Sequence, residues 1–221
     1  MLDITKKIQE ALGLDSVSEA LFSGGEVSTK YTSFNDAGVE CEVGEFLYAL
    51  TRILKPEHAL ETGTHQGIGA MYIGQGLMDN GFGIVDTLQF TPEHYREADR
   101  RFKKAGMGGV INNLQADVTT WQPKSDIKYQ LVLLDTEPQL RFNEFVRFFD
   151  YFDAGSYIFI HDLHSHMEQV DNSEHGYAWP WGKLPYIFHD YVKGNSIRPF
   201  HFRTPRGLTG FYKTHPEDHK W

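Results

Sequence analysis

The chain has one cysteine, Cys41, so no internal disulfide can form, and Cys41 reads as a small core residue in a protein suited to a reducing cytoplasm. No stretch approaches the roughly 18 consecutive apolar residues that a membrane span requires. The opening MLDITKKIQEALGL lacks the long apolar centre of a secretory signal. Basic residues are outnumbered 21 to 30, for a net charge of -9, which argues against a general binder of nucleic acid or of a membrane surface. Internal repeats and low-complexity blocks are also missing. What is present is ordinary for a globular protein: 221 residues, 40% hydrophobic and 23% charged. That length fits one domain, 1-221, with a sizeable core.

Hydrophobic periodicity divides the chain. Ile4 to Phe22 carries apolar residues at helical spacing and meets a stop at Gly24-Gly25, and the polar run Ser23 to Asp36 reads as a surface loop. Residues 1-42 thus form a helix and a lid-like loop, the latter with Lys30 and Tyr31, ahead of a core at 43-221. Within that core, an amphipathic helix at Val43 to Leu54 is halted by Pro56. Strands at His58–Thr62, Phe82–Thr87, Gly109–Asp117, Tyr129–Asp135 and Ser156–Asp162 then alternate with helices at Gly67–Met78, Pro92–Ala105 and Phe142–Phe152. YQLVLLD is the clearest strand, a continuous apolar run of the kind buried on both faces of a parallel sheet. A further helix is expected near Leu184 to Val192, and a closing strand pair around the Pro-Arg-Gly turn. The pattern predicts an α/β fold: a doubly wound, mostly parallel sheet of seven strands with a terminal antiparallel strand and N-terminal helices.

In such sheets ligands sit at the carboxyl ends of the strands. Glu61, Asp86, Asp117, Asp135 and Asp162 all fall at or just past predicted strand ends. The glycines of HALETGTHQGIG follow the first of these strands, where they permit a sharp turn and close approach to the main chain. Their spacing is E-x-G-x-x-x-G, not the G-x-G-x-x-G of a dinucleotide fingerprint, and no Gly-Lys-Ser/Thr marks a phosphate loop.

With LETGTHQGIGA, GIVDT, LQAD, LVLLD and IFIHD in order, residues Val43 to Lys213 resemble the Rossmann-like, class I S-adenosylmethionine-dependent methyltransferases. The resemblance is greatest to the small O-methyltransferases of the catechol/caffeoyl-CoA and the macrocin O-methyltransferase/cephalosporin-hydroxylase-like groups. It implies cofactor contacts from Glu61, Thr62, Gly63, Thr64, Gly67, Asp86, Asp117 and Asp135, with Thr64, His65 and Gln66 lining the site. Asp86 would accept hydrogen bonds from ribose hydroxyls and Asp117 would lie near the adenine amino group. The same resemblance implies a divalent ion, magnesium or another, at Asp135 and Asp162, gripping a small-molecule acceptor and assisting its deprotonation.

One departure bears on the base. Metal-dependent relatives carry Lys or His three residues past the fourth-strand aspartate, where this chain has Pro138, and His161-Asp162 stands for the usual Asp-Asn. His161 and His164 are the candidate bases that remain, beside Asp135. Alternatives stay open: a non-catalytic or regulatory cofactor-binding domain on the same fold, or a metal-dependent hydroxylase or hydrolase using His161, Asp162, His164 and His166. Phe142, Phe145, Phe148, Phe149 and Phe152 read as core or as a dimer face, and a homo-oligomer is open. Trp179 and Trp181 read as an acceptor wall or as a packed loop, and Arg203 and Arg206 as solvated turn charges, ahead of a second reading in which they meet an acidic acceptor.

Overall fold

The structure is a computed structural model and describes residues 3–22, 29–35, 38–162, 177–179, 182–184, 186–202, 204 and 206–215. In chain order the elements begin α1 (Asp3–Leu12), β1 (Ser18–Phe22), β2 (Thr29–Ser33), α2 (Cys41–Leu54), β3 (His58–Thr62), α3 (Ile68–Asn80), β4 (Ile84–Gln89), α4 (Pro92–Lys104) and β5 (Ile111–Gln115). They continue β6 (Tyr129–Leu134), α5 (Pro138–Phe148), β7 (Phe152–His161), β8 (Tyr177–Trp179), β9 (Gly182–Leu184), α6 (His189–Lys193), β10 (Ile197–Phe202) and β11 (Leu208–Lys213).

Seven strands form the central sheet in the order β10-β11-β7-β6-β3-β4-β5. β7, β6, β3, β4 and β5 run parallel, while β11 pairs antiparallel with β7 and with β10. The chain leaves β3 toward one edge through β4 and β5, then returns on the other side of β3 as β6. The order therefore reverses between β3 and β6, which opens a crevice at their carboxyl ends.

Period-two alternation sorts the strand residues onto two cores. Ala59, Val85, Leu131, Leu133 and Phe159 face α1 to α4, joining Ile4, Ile8, Leu47, Ile73 and Phe102. Leu60, Leu88, Val132, Leu134, Ile158 and Ile160 face α5, where the phenylalanines gather. Phe145 is wholly buried, 4.8 Å from the ring of Phe188 and 5.2 Å from that of Phe211. The aromatic stripe is core.

Several boundaries differ from the sequence expectation. The first helix stops at Leu12, because the Gly13 and Leu14 N–H groups bond back to the Glu10 and Gln9 carbonyls and close it. The apolar residues beyond it pair as β1 with β2, and Lys30, expected on a lid, is bonded to Glu19 across that hairpin. α5 starts at Pro138, whose missing N–H costs nothing in a first helical turn. β7 begins at Phe152 and β4 runs to Gln89. Among the described residues no helix is long and apolar enough to cross a membrane.

Candidate active site

The glycine bend lies at the switch point. Gly63 has φ +84°, and its N–H and that of Thr64 both donate to the Leu88 carbonyl, tying the bend to β4. A Cβ on Gly63 would come within 2.3 Å of the Asp135 carbonyl oxygen, so only glycine lets the bend press on the end of β6. Gly67, at φ +83°, precedes α3 and its N–H donates to the Thr64 carbonyl at 2.6 Å. Gly69 in the first turn of α3 supplies space of another kind: a Cβ there would lie 2.2 Å from Glu61 Oε1. The Glu61 carboxyl is tucked under that turn and accepts from the Thr87 hydroxyl. Burial lifts its pKa, and with the charge of Asp135 outweighs the Thr87 and Ala70 hydrogen bonds, to about 8.

A shallow cleft opens here, lined by Gly38, Val39, Glu61, Gly63, Thr64, His65, Gln66, Ile68, Gly69 and Asp135. Gln66 is braced by Asn35 at 2.9 Å and Arg101 at 3.0 Å. His65 packs edge-on to His94, and burial holds its pKa below the usual value.

Beside the cleft, the ends of β6 and β7 carry a buried charge network. His161 is fully buried, with Nδ1 3.0 Å from Asp135 Oδ1 and Nε2 2.5 Å from Glu40 Oε2. Burial alone would lower its pKa; the charge and hydrogen bond of Asp135, the charge of Asp162 and the Glu40 hydrogen bond raise it to about 10. Arg141, near the start of α5, points Nη2 at Asp135 Oδ1 (3.1 Å) and Asp162 Oδ2 (3.5 Å). Its Nε donates to the Thr136 carbonyl at 2.7 Å and its Nη1 to the His161 carbonyl. Arg206, just before β11, donates from Nη2 to Asp162 Oδ2 at 2.7 Å, from Nη1 to the Gly38 carbonyl at 2.7 Å, and from its backbone N–H to Glu40 Oε1 at 3.2 Å. Burial would raise the Asp162 pKa, but His161, Arg206 and Arg141 hold it below the usual carboxylate value.

Two expectations change at this network. With Nδ1 on Asp135 and Nε2 on Glu40 inside a fully buried site, His161 turns no ring nitrogen to the cleft to receive an acceptor's proton and bridges the two carboxylates instead. Asp135, His161 and Asp162 do bring donor atoms within 4.8 Å of one another, as a metal site would. The fit is poor for a hard divalent ion, which wants a shell of oxygens and water. The facing oxygens already receive two guanidinium groups, and both ring nitrogens of the third member, His161, already face carboxylates. His164 and His166 lie outside the described residues, as do Trp181, Arg203 and the side chain of Trp179.

The remaining predicted residues divide. Glu61, Gly63, Thr64 and Asp135 line the cleft, and Gly67 shapes its loop. Thr62 does not: alternation turns it toward α5, where its hydroxyl donates to Glu144 at 2.6 Å. Asp86 is not at a strand end, because β4 continues three residues to Gln89. It points to the α5 face, opposite Glu61, and accepts from Tyr129 Oη at 2.6 Å and Asn112 Nδ2 at 2.7 Å. Asp117 follows β5 and caps its own turn, accepting from the N–H of Thr119 at 2.8 Å and its hydroxyl at 2.7 Å. Sequence reasoning missed Glu40, Gly69 and Arg141, and misjudged Arg206, whose side chain is only 15% exposed. Placing the start of α5 at Pro138 would have put Arg141 on its first turn, next to the end of β6.

Comparison with known proteins gives a consistent picture. Residues 60–163 match the family model described as "Methyltransferase domain". A Mycobacterium sp. (strain KMS) protein that carries the provisional name O-methyltransferase is 31% identical over 100 residues, 43% of this chain and 44% of that protein, so the match spans under half of the relative's length. The O-methyltransferase TomG of Streptomyces achromogenes, solved with S-adenosylmethionine, superposes with a TM-score of 0.63 at 16% identity over 96% of this chain and 89% of that one. The O-methyltransferase of Bacillus cereus, solved with S-adenosylhomocysteine, gives 0.63 at 17% identity over 81% and 84%. The sheet order is thus that of these solved O-methyltransferases, and the stretch from β3 to β7, with the glycine bend at the switch point, is similar to a methyltransferase domain.

Proposed function

We propose that this chain is an S-adenosylmethionine-dependent methyltransferase that acts on the oxygen of a small-molecule acceptor. The observation that carries the reading is the cleft at the β3/β6 switch point, where glycines expose main chain beside two carboxyl groups, Glu61 and Asp135. The exposed main chain and the Asp135 carboxyl group suit a cationic ligand with an amino acid end, and the lining offers no basic cradle for phosphate. Gly63, Thr64 and Gly69 would flank the bound cofactor, and Glu61 would face its amino group. S-adenosylmethionine, when bound, supplies an electrophilic methyl group on its sulfonium.

The chain's own residues then have to align an acceptor oxygen and receive its proton. Asp135 is the member of the charge network that borders the cleft. His161 and Arg141 fix its Oδ1 from the buried side, which makes Asp135 the group placed to hydrogen-bond the acceptor hydroxyl and take its proton. His161 is in this reading a positioning residue. Calorimetric titration with S-adenosylhomocysteine tests the cofactor half: saturable binding is expected, and well-folded protein that binds none of it refutes the reading. Asp135→Asn tests the other half, and should lower kcat by about 10²–10⁴-fold, the usual contribution of a positioned acid or base. Product mass, a gain of one methyl group rather than of one oxygen or of nothing, separates methyl transfer from hydroxylation and from a purely binding domain.

A further inference from the structure

We propose that the Asp135–Asp162 pair is a metal-free centre, in which the guanidinium groups of Arg141 and Arg206 take the place and the charge that a divalent ion would supply. Three carboxylates, Glu40, Asp135 and Asp162, converge at the ends of β6 and β7. Arg141 Nη2 spans the aspartates, 3.1 Å from one and 3.5 Å from the other, as a bridging ion would. Arg206 covers Asp162 from the opposite chain segment at 2.7 Å, and the His161 imidazole fills the space between Asp135 and Glu40.

These cations are built into the fold. Arg141 is anchored on the Thr136 and His161 carbonyls and Arg206 on the Gly38 carbonyl, and their side chains are 6% and 15% exposed. An entering divalent ion would have to push a guanidinium off a carboxylate and leave it buried without its counter-charge, which is the costly way to break such a pair. The consequence for the acceptor rests on the methyl-transfer reading. No ion is there to chelate two neighbouring oxygens, so the site does not require a vicinal diol or catechol and takes acceptors with a single isolated hydroxyl.

The test is a calorimetric titration of Mg²⁺ and Mn²⁺ into the full chain, run beside one with S-adenosylhomocysteine. Millimolar metal should show no saturable binding. Arg206→Gln or Arg141→Gln should uncover the carboxylates, so that Mn²⁺ raises the melting temperature of the variant and not of the wild type. Arg206→Lys, which keeps the cation, should stay insensitive. Saturable Mn²⁺ binding to the wild type that Asp162→Asn abolishes would overturn the proposal, even where the homocysteine product binds. Folded glutamine variants that gain no response to Mn²⁺ would also overturn it. Should the glutamine variants fail to fold, the wild-type titration decides. Absence of both metal and product binding leaves the guanidinium centre standing and removes the methyl-transfer reading.

Discussion

At the scale of single residues, the site is set by what glycine leaves out and by what burial does to acids. Gly63 is caught twice, by a positive φ and by the Asp135 main chain that a Cβ would strike. Gly63→Ala should lose about 1–3 kcal/mol of stability in urea denaturation, the usual cost of one strained backbone position. Gly109→Ala, where a Cβ meets nothing within 4 Å, is the control and should be neutral or slightly stabilising. Equal losses in the two variants would contradict this. Glu61 makes a pH prediction. Its folded pKa of about 8 lies above the ordinary 4.5, so the native state holds a proton that the unfolded chain releases. The stabilisation is complete below pH 4.5 and is lost as pH climbs through 8. Glu61→Gln should flatten that decline in urea midpoints and leave the later one from His161, whose raised pKa places its loss between pH 6.5 and 10. Parallel pH curves for wild type and variant would count against a buried protonated Glu61.

At the scale of elements, the sequence carried most of the sheet. YQLVLLD and SYIFIHD are buried strands because both faces of a central parallel strand meet helices, and apolar runs report that directly. Ends were less legible. SEALF continues the helical spacing of α1, but a helix's last turns depend on packing, and pairing with TKYTS outweighed them once Gly13 had closed the first turns. Asp86 was misplaced for a related reason: IVDTLQ stays extended through two polar residues because Thr87 and Gln89 are buried on the α3 and α4 side. α5 shows the period working as expected. Phe145 faces the sheet among Phe188, Phe211 and Phe152, while its neighbour Val146 is 39% exposed. Phe145→Ala should cost about 3–5 kcal/mol by the cavity it leaves, and Val146→Ala should lie within about 0.5 kcal/mol of wild type. Similar losses would mean that the aromatic stripe is not the core of this face.

At the scale of the whole molecule, the charge network is the part that no local pattern could disclose. Glu40 precedes α2, His161 ends β7 and Arg206 leads into β11, and the antiparallel pairing of β11 with β7 together with the packing of α2 brings these distant segments to one point. Glu40 and Arg206 alone read as ordinary polar positions, and His161, although a candidate base at the end of a strand, carries no sign of either partner, because pairing across so many intervening residues leaves no periodicity to find. Their energetics should betray the difference. Glu40→Ala strips His161 of one carboxylate and the Arg206 N–H of its acceptor within a fully buried site, so the loss should be about 3–5 kcal/mol, as for other buried pairs broken from one side. Glu19→Ala removes a carboxylate paired with Lys30 at 3.0 Å, with both side chains about two-thirds exposed, and should cost under about 1 kcal/mol because solvent screens that pair. Urea denaturation of the two variants decides. A small loss at Glu40 would mean that the N-terminal segment merely rests against the core, and that Asp135 owes its placement to Arg141 alone.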